Sequence, residues 1–187
     1  RDEPLDMRSD LTLNVTAADL VNSLPENELV YAFQKFGEEL RSRSFARALV
    51  SARAVKPIKT TFDLLSALGV CPNGIASSSF GKLRTPRNDR GTTIHPATKV
   101  FQALRIAVNS ELLNLTASLP QAQKLLKPGG RLVVISFHSL EDRIVKEIGK
   151  GVANLVALTA KPIVASVEEV ASNPRSRSAK LRVFEKI

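Results

Sequence analysis

The sequence is poor in cysteine, histidine and aromatic residues. Its 187 residues include one cysteine, Cys71, two histidines, His95 and His138, and no tryptophan. A single cysteine excludes an intramolecular disulfide and a cysteine-cluster metal site, and two distant histidines do not match the spacing of a zinc site. We therefore expect no bound metal. The low cysteine content suits a reducing compartment.

The sequence also lacks long apolar runs and glycine-rich phosphate loops. No segment approaches the roughly 20 apolar residues that are needed to span a bilayer, and no signal peptide is visible. Its only glycine pair, Gly129–Gly130, precedes a predicted strand and ends a helix, whereas a phosphate-binding loop follows a strand. Because no apolar run is long enough to span a bilayer, we expect no membrane partner.

Positive charge is the first marked feature that the chain does have. Lysine and arginine number 27 against 18 acidic residues, which gives a net charge of +9 and a pI near 10.1. A surplus of this size favours a polyanionic partner, with nucleic acid first. A basic protein with no such partner remains the alternative on charge alone.

Helical patterns dominate the first part of the chain. Thr16 with Asp19 resembles a capping box, Pro25 suits the first turn of a second helix, and Gly37 offers its end. A third helix is predicted to end at Lys56-Pro57, with arginines on its polar side, and a short helix starts at Thr60.

The segment 70–94 has a different composition, rich in glycine, serine, proline and asparagine with basic residues among them. We predict a long loop that either contacts RNA phosphates or is simply solvated. From His95 onward the apolar spacing predicts a long amphipathic helix that Pro120 interrupts.

Strand patterns dominate the last part. Leu132 to Ile135 is a continuous apolar run between a tight turn and a helix, which predicts a parallel sheet covered on both faces. Residues 152–158 and the alternating segment 179–186 predict two further strands, paired antiparallel at one edge of the sheet.

Polar residues follow the first predicted strand directly. Ser136, Phe137, His138 and Ser139 occupy its carboxyl end, where open α/β sheets bind ligands. Histidine titrates near neutrality and suits a catalytic role, although a hydrogen-bonded structural histidine is an equal alternative. For Ser139 the stronger alternative is a helix cap that forms a box with Asp142.

Six segments together identify a family resemblance. The chain resembles the MraW-type ribosomal RNA small-subunit cytidine-N4 methyltransferases over nearly its whole length outside 70–94 and 149–160. The matching segments are PLDMR (4–8), TAADLVN (16–22), FQKFGEE (33–39), HPATKVFQALRIAVNSEL (95–112), LKPGGRLVVISFHSLEDRIVK (126–146) and NPRSRSAKLRVFEK (173–186).

The resemblance implies an α/β fold, namely the C-terminal part of a class I Rossmann-like methyltransferase core with an inserted all-α domain. Residues 1–11 would be a core segment after the fourth strand, 12–93 the inserted helical domain, and 95–187 the rest of the core. It also implies S-adenosylmethionine as methyl donor. The family's main donor-binding motifs precede PLDMR, so they either lie upstream or have been lost, and we expect no cofactor-binding residue in this chain.

The resemblance implies roles for individual residues. His138, Ser136 and Asp6 would orient the amine of the target cytidine, and Phe137 and Ser139 would form a wall for the base. Basic residues would hold RNA phosphates, which position an RNA without reading its sequence. These residues are Arg41, Arg43, Arg47, Lys99, Arg105, Arg175 and Arg177.

Two functional readings follow from the resemblance. The first is an active methyltransferase that acts on small-subunit ribosomal RNA or an assembly particle. The second is an inactive homologue that serves as a ribosome-assembly or RNA-binding factor, with assembly proteins as further partners. Both the mitochondrial matrix and the bacterial cytoplasm fit the composition, and sequence divergence favours the matrix.

Overall fold

The computed structural model describes residues 1–70, 95, 97–151 and 154–187, without the side chain of Lys150. These residues fall into two compact units, Arg1–Ser110 and Glu111–Ile187. Among them, no helix is both long enough and apolar enough to cross a bilayer. Cys71 and the predicted loop 70–94 lie outside the described residues, except for Val70, which is buried.

The first unit is helical. Its core buries aromatic and aliphatic side chains from most of its helices, including Leu29, Phe33, Phe45, Leu49 and Leu104. Burying each such side chain stabilises the fold by about 1.5 to 3 kcal/mol. The helices are α1 (Ala17–Ser23), α2 (Glu26–Gly37), α3 (Ser42–Val55), α4 (Thr61–Ala67) and α5 (Thr98–Asn109).

Side-chain caps begin two of these helices. Thr16 and Asp19 form the predicted reciprocal capping box at α1, and Thr60 and Asp63 form a second box at α4. Each box satisfies backbone N–H groups that the first helical turn leaves without a partner. Lys56 is the C-cap of α3, where the sequence predicts its end.

The break in the predicted long helix lies at Ser110 and not at Pro120. Helix α5 ends at Asn109, Ser110 has a left-handed backbone (φ 50°), and α6 (Glu111–Leu125) runs through Pro120. The Asn109 side chain donates to the carbonyl of Met7 at 2.8 Å and accepts from the N–H of Ser9 at 2.7 Å. These contacts fix the end of α5 within the first unit.

Pro120 is tolerated inside α6 for a simple reason. Proline removes one helical hydrogen bond, to the carbonyl four residues earlier, at Thr116. Thr116 lies on the exposed side of the helix, where water can bind the freed carbonyl. The predicted interruption is therefore wrong.

The second unit is a small antiparallel sheet with helices packed on one face. Strand β4 pairs with each of the other three strands, in the order β1-β4-β2, with β3 also pairing with β4. The elements are β1 (Arg131–Ser136), α7 (Ser139–Gly151), β2 (Leu155–Ala157), β3 (Ile163–Val164), α8 (Val167–Ser172), a 3-10 helix (Pro174–Ser178) and β4 (Lys180–Lys186).

The described part of β1 does not match the predicted parallel strand with two covered faces. It pairs antiparallel with β4, and Val133 and Ile135 are 54% and 52% exposed on one face. Leu132 and Val134 pack instead against a buried cluster that includes Val145. A continuous apolar run cannot reveal this difference, because it looks the same whether one face or both are covered.

The two late strands pair antiparallel, since β2 and β4 are joined from Leu155–Lys186 to Ala157–Phe184. The predicted segment 1–11, the inserted domain 12–93 and the core from 95 remain predictions. In the structure the first compact unit extends to Ser110, because α5 packs on α2.

Two glycines near the end of α7 provide a matched stability test. A methyl group on Gly149 would overlap the buried ring of Phe184, whereas nothing lies within 4 Å of such a group on Gly151. We expect Gly149→Ala to lower the free energy of unfolding by about 1 to 3 kcal/mol, measured by urea denaturation. Gly151→Ala is the control and should be neutral or slightly stabilising. Equal effects of the two substitutions would contradict this packing.

Candidate functional site

A two-residue turn joins the end of β1 to the start of α7. Ser136 is the last strand residue, Phe137 and His138 form the turn, and Ser139 begins the helix. The Ser136 side chain is only 2% exposed, and its hydroxyl donates to the carbonyl of Lys180 at 3.4 Å. This contact ties the end of β1 to β4. The predicted catalytic role of Ser136 stays a prediction.

His138 occupies the N-cap position of α7. The backbone N–H of Glu141 donates to its Nδ1 at 3.4 Å, and its Nε2 lies 3.4 Å from Oε1 of Glu141. A neutral imidazole that accepts at Nδ1 carries its proton at Nε2. Nε2 makes no hydrogen bond to the Glu141 carboxylate, although it lies within ion-pair distance of it. The His138 side chain is 11% exposed.

Glu141 takes the position that the sequence assigns to Asp142. Its Oε2 accepts from the N–H of Phe137 at 2.8 Å, so the carboxylate reaches back over the turn as in a capping box. The predicted capping box of Ser139 with Asp142 is wrong, because His138 precedes the helix as its cap and Glu141 is the acidic residue that reaches back. Ser139 is exposed at the first helical position, and its role in a base wall stays a prediction.

Asp142 instead binds β4. Its two oxygens accept from Nε and NH2 of Arg182 at 2.7 and 3.1 Å, and Lys180 Nζ lies 3.6 Å away. The side chains of Asp142 and Arg182 are 13% and 11% exposed. The Arg182 hydrogen bonds hold the pKa of the Asp142 carboxyl below its usual value. This bidentate pair fixes the first turn of α7 to the sheet.

A second carboxylate lies beside this turn. Glu111 is the first residue of α6, and ligand atoms of Glu111, His138 and Glu141 all lie within 4.8 Å of one another. Sequence reasoning missed Glu111 and Glu141 as site residues. The spacing of Glu141 from His138 was a usable signal, but only the fold brings Glu111 to them.

Three such groups could hold a cation, but two local features favour an anionic hydrogen-bond acceptor site. Nδ1 of His138 accepts a backbone N–H, which occupies the lone pair that a metal ion would need at this nitrogen. Both glutamates also lie in the first turns of helices, where the helix dipole stabilises negative charge and disfavours a cation.

Phe137 presents an apolar surface in the same turn. Its side chain is 54% exposed, while its backbone N–H is bound to Glu141. Unpaired bases are commonly held by stacking on exposed aromatic rings. The turn therefore combines a flat apolar surface with a half-buried carboxylate.

Asp6 lies in the first unit and is engaged locally. Its carboxylate accepts from Nε and NH2 of Arg8 at 2.6 and 2.9 Å. The Arg8 hydrogen bonds lower the pKa of the Asp6 carboxyl. Its backbone carbonyl also accepts from the N–H of Ala17 at the start of α1. The predicted catalytic role of Asp6 stays a prediction.

Arginines on α3 differ in their availability. Arg41 is hydrogen-bonded to Glu39 and stacks on the ring of Phe45 at 4.7 Å, so it belongs to the packing of the helix start. Arg43 and Arg47 are exposed, and Arg47 lies 3.8 Å from Glu26.

Arg43 and Arg47 also line a groove of about 670 Å³ between α3 and α4, here called the α3–α4 groove. Its other lining residues are small, namely Ser44, Ala48, Ser51, Ala52, Ser66 and Ala67.

The other basic residues lie elsewhere in the two units. Lys99 Nζ donates to the carbonyl of Glu38 at 2.8 Å, and Arg105 is exposed on α5. Arg175 and Arg177 are exposed in the 3-10 helix on either side of Ser176, which is buried. Their predicted RNA contacts stay predictions.

Comparisons with known proteins match the whole chain. The family model described as MraW methylase family matches residues 1–187. The chain is 49% identical to a protein of Coprothermobacter proteolyticus over 98% of this chain and 57% of that protein. It is 50% identical to one of Trichormus variabilis over 97% of this chain and 54% of that protein.

A third relative, from Synechococcus elongatus, is 46% identical over the whole chain and 58% of its own length. All three relatives carry the name Ribosomal RNA small subunit methyltransferase H. The chain thus spans a little over half the length of the curated relatives that it matches.

The Asp142–Arg182 pair predicts a defined pH dependence of stability. We expect Asp142→Asn to lower the free energy of unfolding at pH 7, because it leaves Arg182 without its charged partner. Because the folded-state pKa of Asp142 is lowered, its stabilisation is present above the unfolded-state pKa of about 3.9 and is lost as pH falls through the folded-state pKa. The difference between variant and wild type should therefore shrink below about pH 4 in urea titrations.

The matched control is Glu185→Gln, which removes the more exposed ion pair between Arg131 on β1 and Glu185 on β4. This substitution should change stability by less than about 1 kcal/mol. A difference at Asp142 that does not change with pH would contradict the assigned ion pair.

Proposed function

Because the chain belongs to the MraW methylase family, we propose that it forms part of an enzyme that methylates small-subunit ribosomal RNA. The family match over residues 1–187 and the sequence identity of 49% and 50% to two of the named methyltransferases support this proposal. We propose the N4 amine of a cytidine as the acceptor and S-adenosylmethionine as the donor, as the family resemblance implies.

The geometry that carries the proposal is the turn at 137–141. A cytosine amine is a weak nucleophile, because its lone pair is delocalised into the ring. A site that uses it must hold the base and accept hydrogen bonds from its N–H groups. Exposed Phe137 and the half-buried pair of His138 and Glu141 supply these two elements in one turn.

The donor supplies an electrophilic methyl group attached to a sulfonium ion. The described residues do not suggest where it binds. The α3–α4 groove is lined by Arg43 and Arg47, which repel a sulfonium cation. An adjoining cavity, of about 310 Å³, is lined by mostly apolar residues and by Lys56 and Asp63, which form an ion pair. We therefore assign no donor site to the described residues.

The α3–α4 groove suits RNA better than it suits the donor. Two exposed arginines lie along it, and its small side chains let a polynucleotide backbone approach closely. In a protein with a net charge of +9, such a groove would attract phosphates. We propose that Arg43 and Arg47 bind RNA phosphates, while Arg41 is held in packing.

The relatives bear on the predicted cellular location. The relatives named above are bacterial, and they give no support to the mitochondrial location that sequence divergence favoured. Small-subunit ribosomal RNA is the proposed partner, either free or in an assembly particle.

Donor binding and methyl transfer test this function directly in the full-length protein. Calorimetry with S-adenosylmethionine should show binding, and small-subunit RNA or particles should gain N4-methylcytidine, detected by mass spectrometry of nucleosides. RNA binding without donor binding or methyl transfer would contradict the proposed enzymatic activity and favour an inactive assembly factor.

Removing the two exposed arginines of the groove tests the RNA contacts. We expect Arg43→Ala combined with Arg47→Ala to weaken RNA binding and to reduce the slope of log affinity against log salt by about 1.4, since each lost single-strand phosphate contact contributes about 0.7. Fluorescence anisotropy over a series of salt concentrations measures this slope.

The control substitution is Lys35→Ala, which removes an exposed charge from α2 in the same unit and outside the groove lining. It should leave the slope nearly unchanged. An unchanged slope in the double variant would remove α3 from the RNA interface.

A further inference from the structure

Methylation of an amine imposes a requirement on the site that receives it. When the nitrogen gains a methyl group it becomes cationic and must lose one of its two protons. The sulfonium donor meanwhile becomes a neutral thioether that keeps the electron pair of the broken carbon–sulfur bond. The site therefore needs an anionic acceptor that is both positioned and reachable.

Few polar groups at the turn meet this requirement. Ser136 is buried and donates to Lys180, and a hydroxyl is a weak base. Asp142 is 13% exposed, and its bidentate pair with Arg182 offsets its charge, which makes it a weaker base. The Glu141 side chain is 23% exposed, and each of its oxygens has one identified neighbour: His138 at Oε1 and the Phe137 N–H at Oε2.

We infer that Glu141 is the catalytic carboxylate that hydrogen-bonds the acceptor amine and takes up its departing proton. The inference rests on the proposed function and names the group that acts in it. A carboxylate oxygen has two lone-pair sites, so each oxygen of Glu141 can accept a second hydrogen bond from the substrate.

The surroundings of Glu141 orient its carboxylate. The N-terminus of α7 stabilises negative charge, and the Phe137 N–H holds Oε2 at 2.8 Å. Nε2 of His138 lies 3.4 Å from Oε1. His138 thus acts through Glu141, as a positioning residue.

Glu111 offers a partner for the second N–H of the amine. Two acceptors placed about 2.9 Å from one nitrogen, along N–H directions about 120° apart, are about 5 Å from each other. The ligand atoms of Glu111 and Glu141 lie within 4.8 Å of one another, so both carboxylates are near enough to contact one amine. Both hydrogen bonds would lie in the plane of the base and leave its face open to the incoming methyl group.

The test compares Glu141→Gln with Glu147→Gln in the full-length protein. In the first variant the new side chain retains an oxygen that can accept from the Phe137 N–H, because glutamine also serves at this capping position. Its amide is not a base, so we expect kcat to fall by about 100-fold or more, with the affinity for RNA and the melting temperature unchanged. Glu147 is exposed on the same helix, and its variant should match wild type.

The outcomes separate this inference from the proposed function. Methyl transfer by wild type with full activity in Glu141→Gln would overturn the catalytic role of Glu141 and leave the proposed function intact. Absence of transfer by wild type would overturn the proposed function itself. Loss of activity together with a lowered melting temperature would make Glu141 a structural cap and would also overturn its catalytic role.

His138→Asn tests the positioning role separately. Asparagine is a favoured N-cap residue, so the helix start should persist while the Nε2 proton is lost. We expect kcat to fall by about tenfold or more, because the Glu141 carboxylate loses its orientation. The KM for RNA should stay unchanged, because the surface that binds the substrate is intact. An unchanged kcat, or a change confined to KM, would overturn the role assigned to His138.

Discussion

The bidentate pair between Asp142 and Arg182 is the contact on which the second unit depends. Arg182 lies on β4, the strand that pairs with all three of the others, and Asp142 lies in the first turn of α7. A largely buried ion pair contributes little net stability, but losing one partner costs much more because a charge is left uncompensated. The pair therefore restricts α7 to one placement on the sheet, and with it the turn that carries His138 and Glu141.

Local signals made much of this molecule predictable. The Thr16–Asp19 box, the end of α3 at Lys56 and the strand before His138 follow from residues that are close in sequence. Long-range contacts decided the rest. The break at Ser110 depends on the contact of Asn109 with Met7, about a hundred residues away, and no local pattern shows it.

The candidate site shows the same division. The turn at the end of β1 could be predicted, because polar residues follow an apolar run directly. Its chemistry could not, since Ser136 and Asp142 are consumed by contacts with β4 while Glu141 caps the turn in place of Asp142. Glu111 joins the site only because α6 begins beside α7. Under the proposed function, basic side chains would contact RNA phosphates and these carboxylates would contact a base amine.

The outer face of β1 has a practical consequence. Val133 and Ile135 are about half exposed, and among the described residues β1 is the terminal strand of its sheet. A free strand edge beside an apolar face is a template on which other chains can add strands. We therefore expect this polypeptide in isolation to self-associate more as its concentration rises. Its high positive charge would oppose this association.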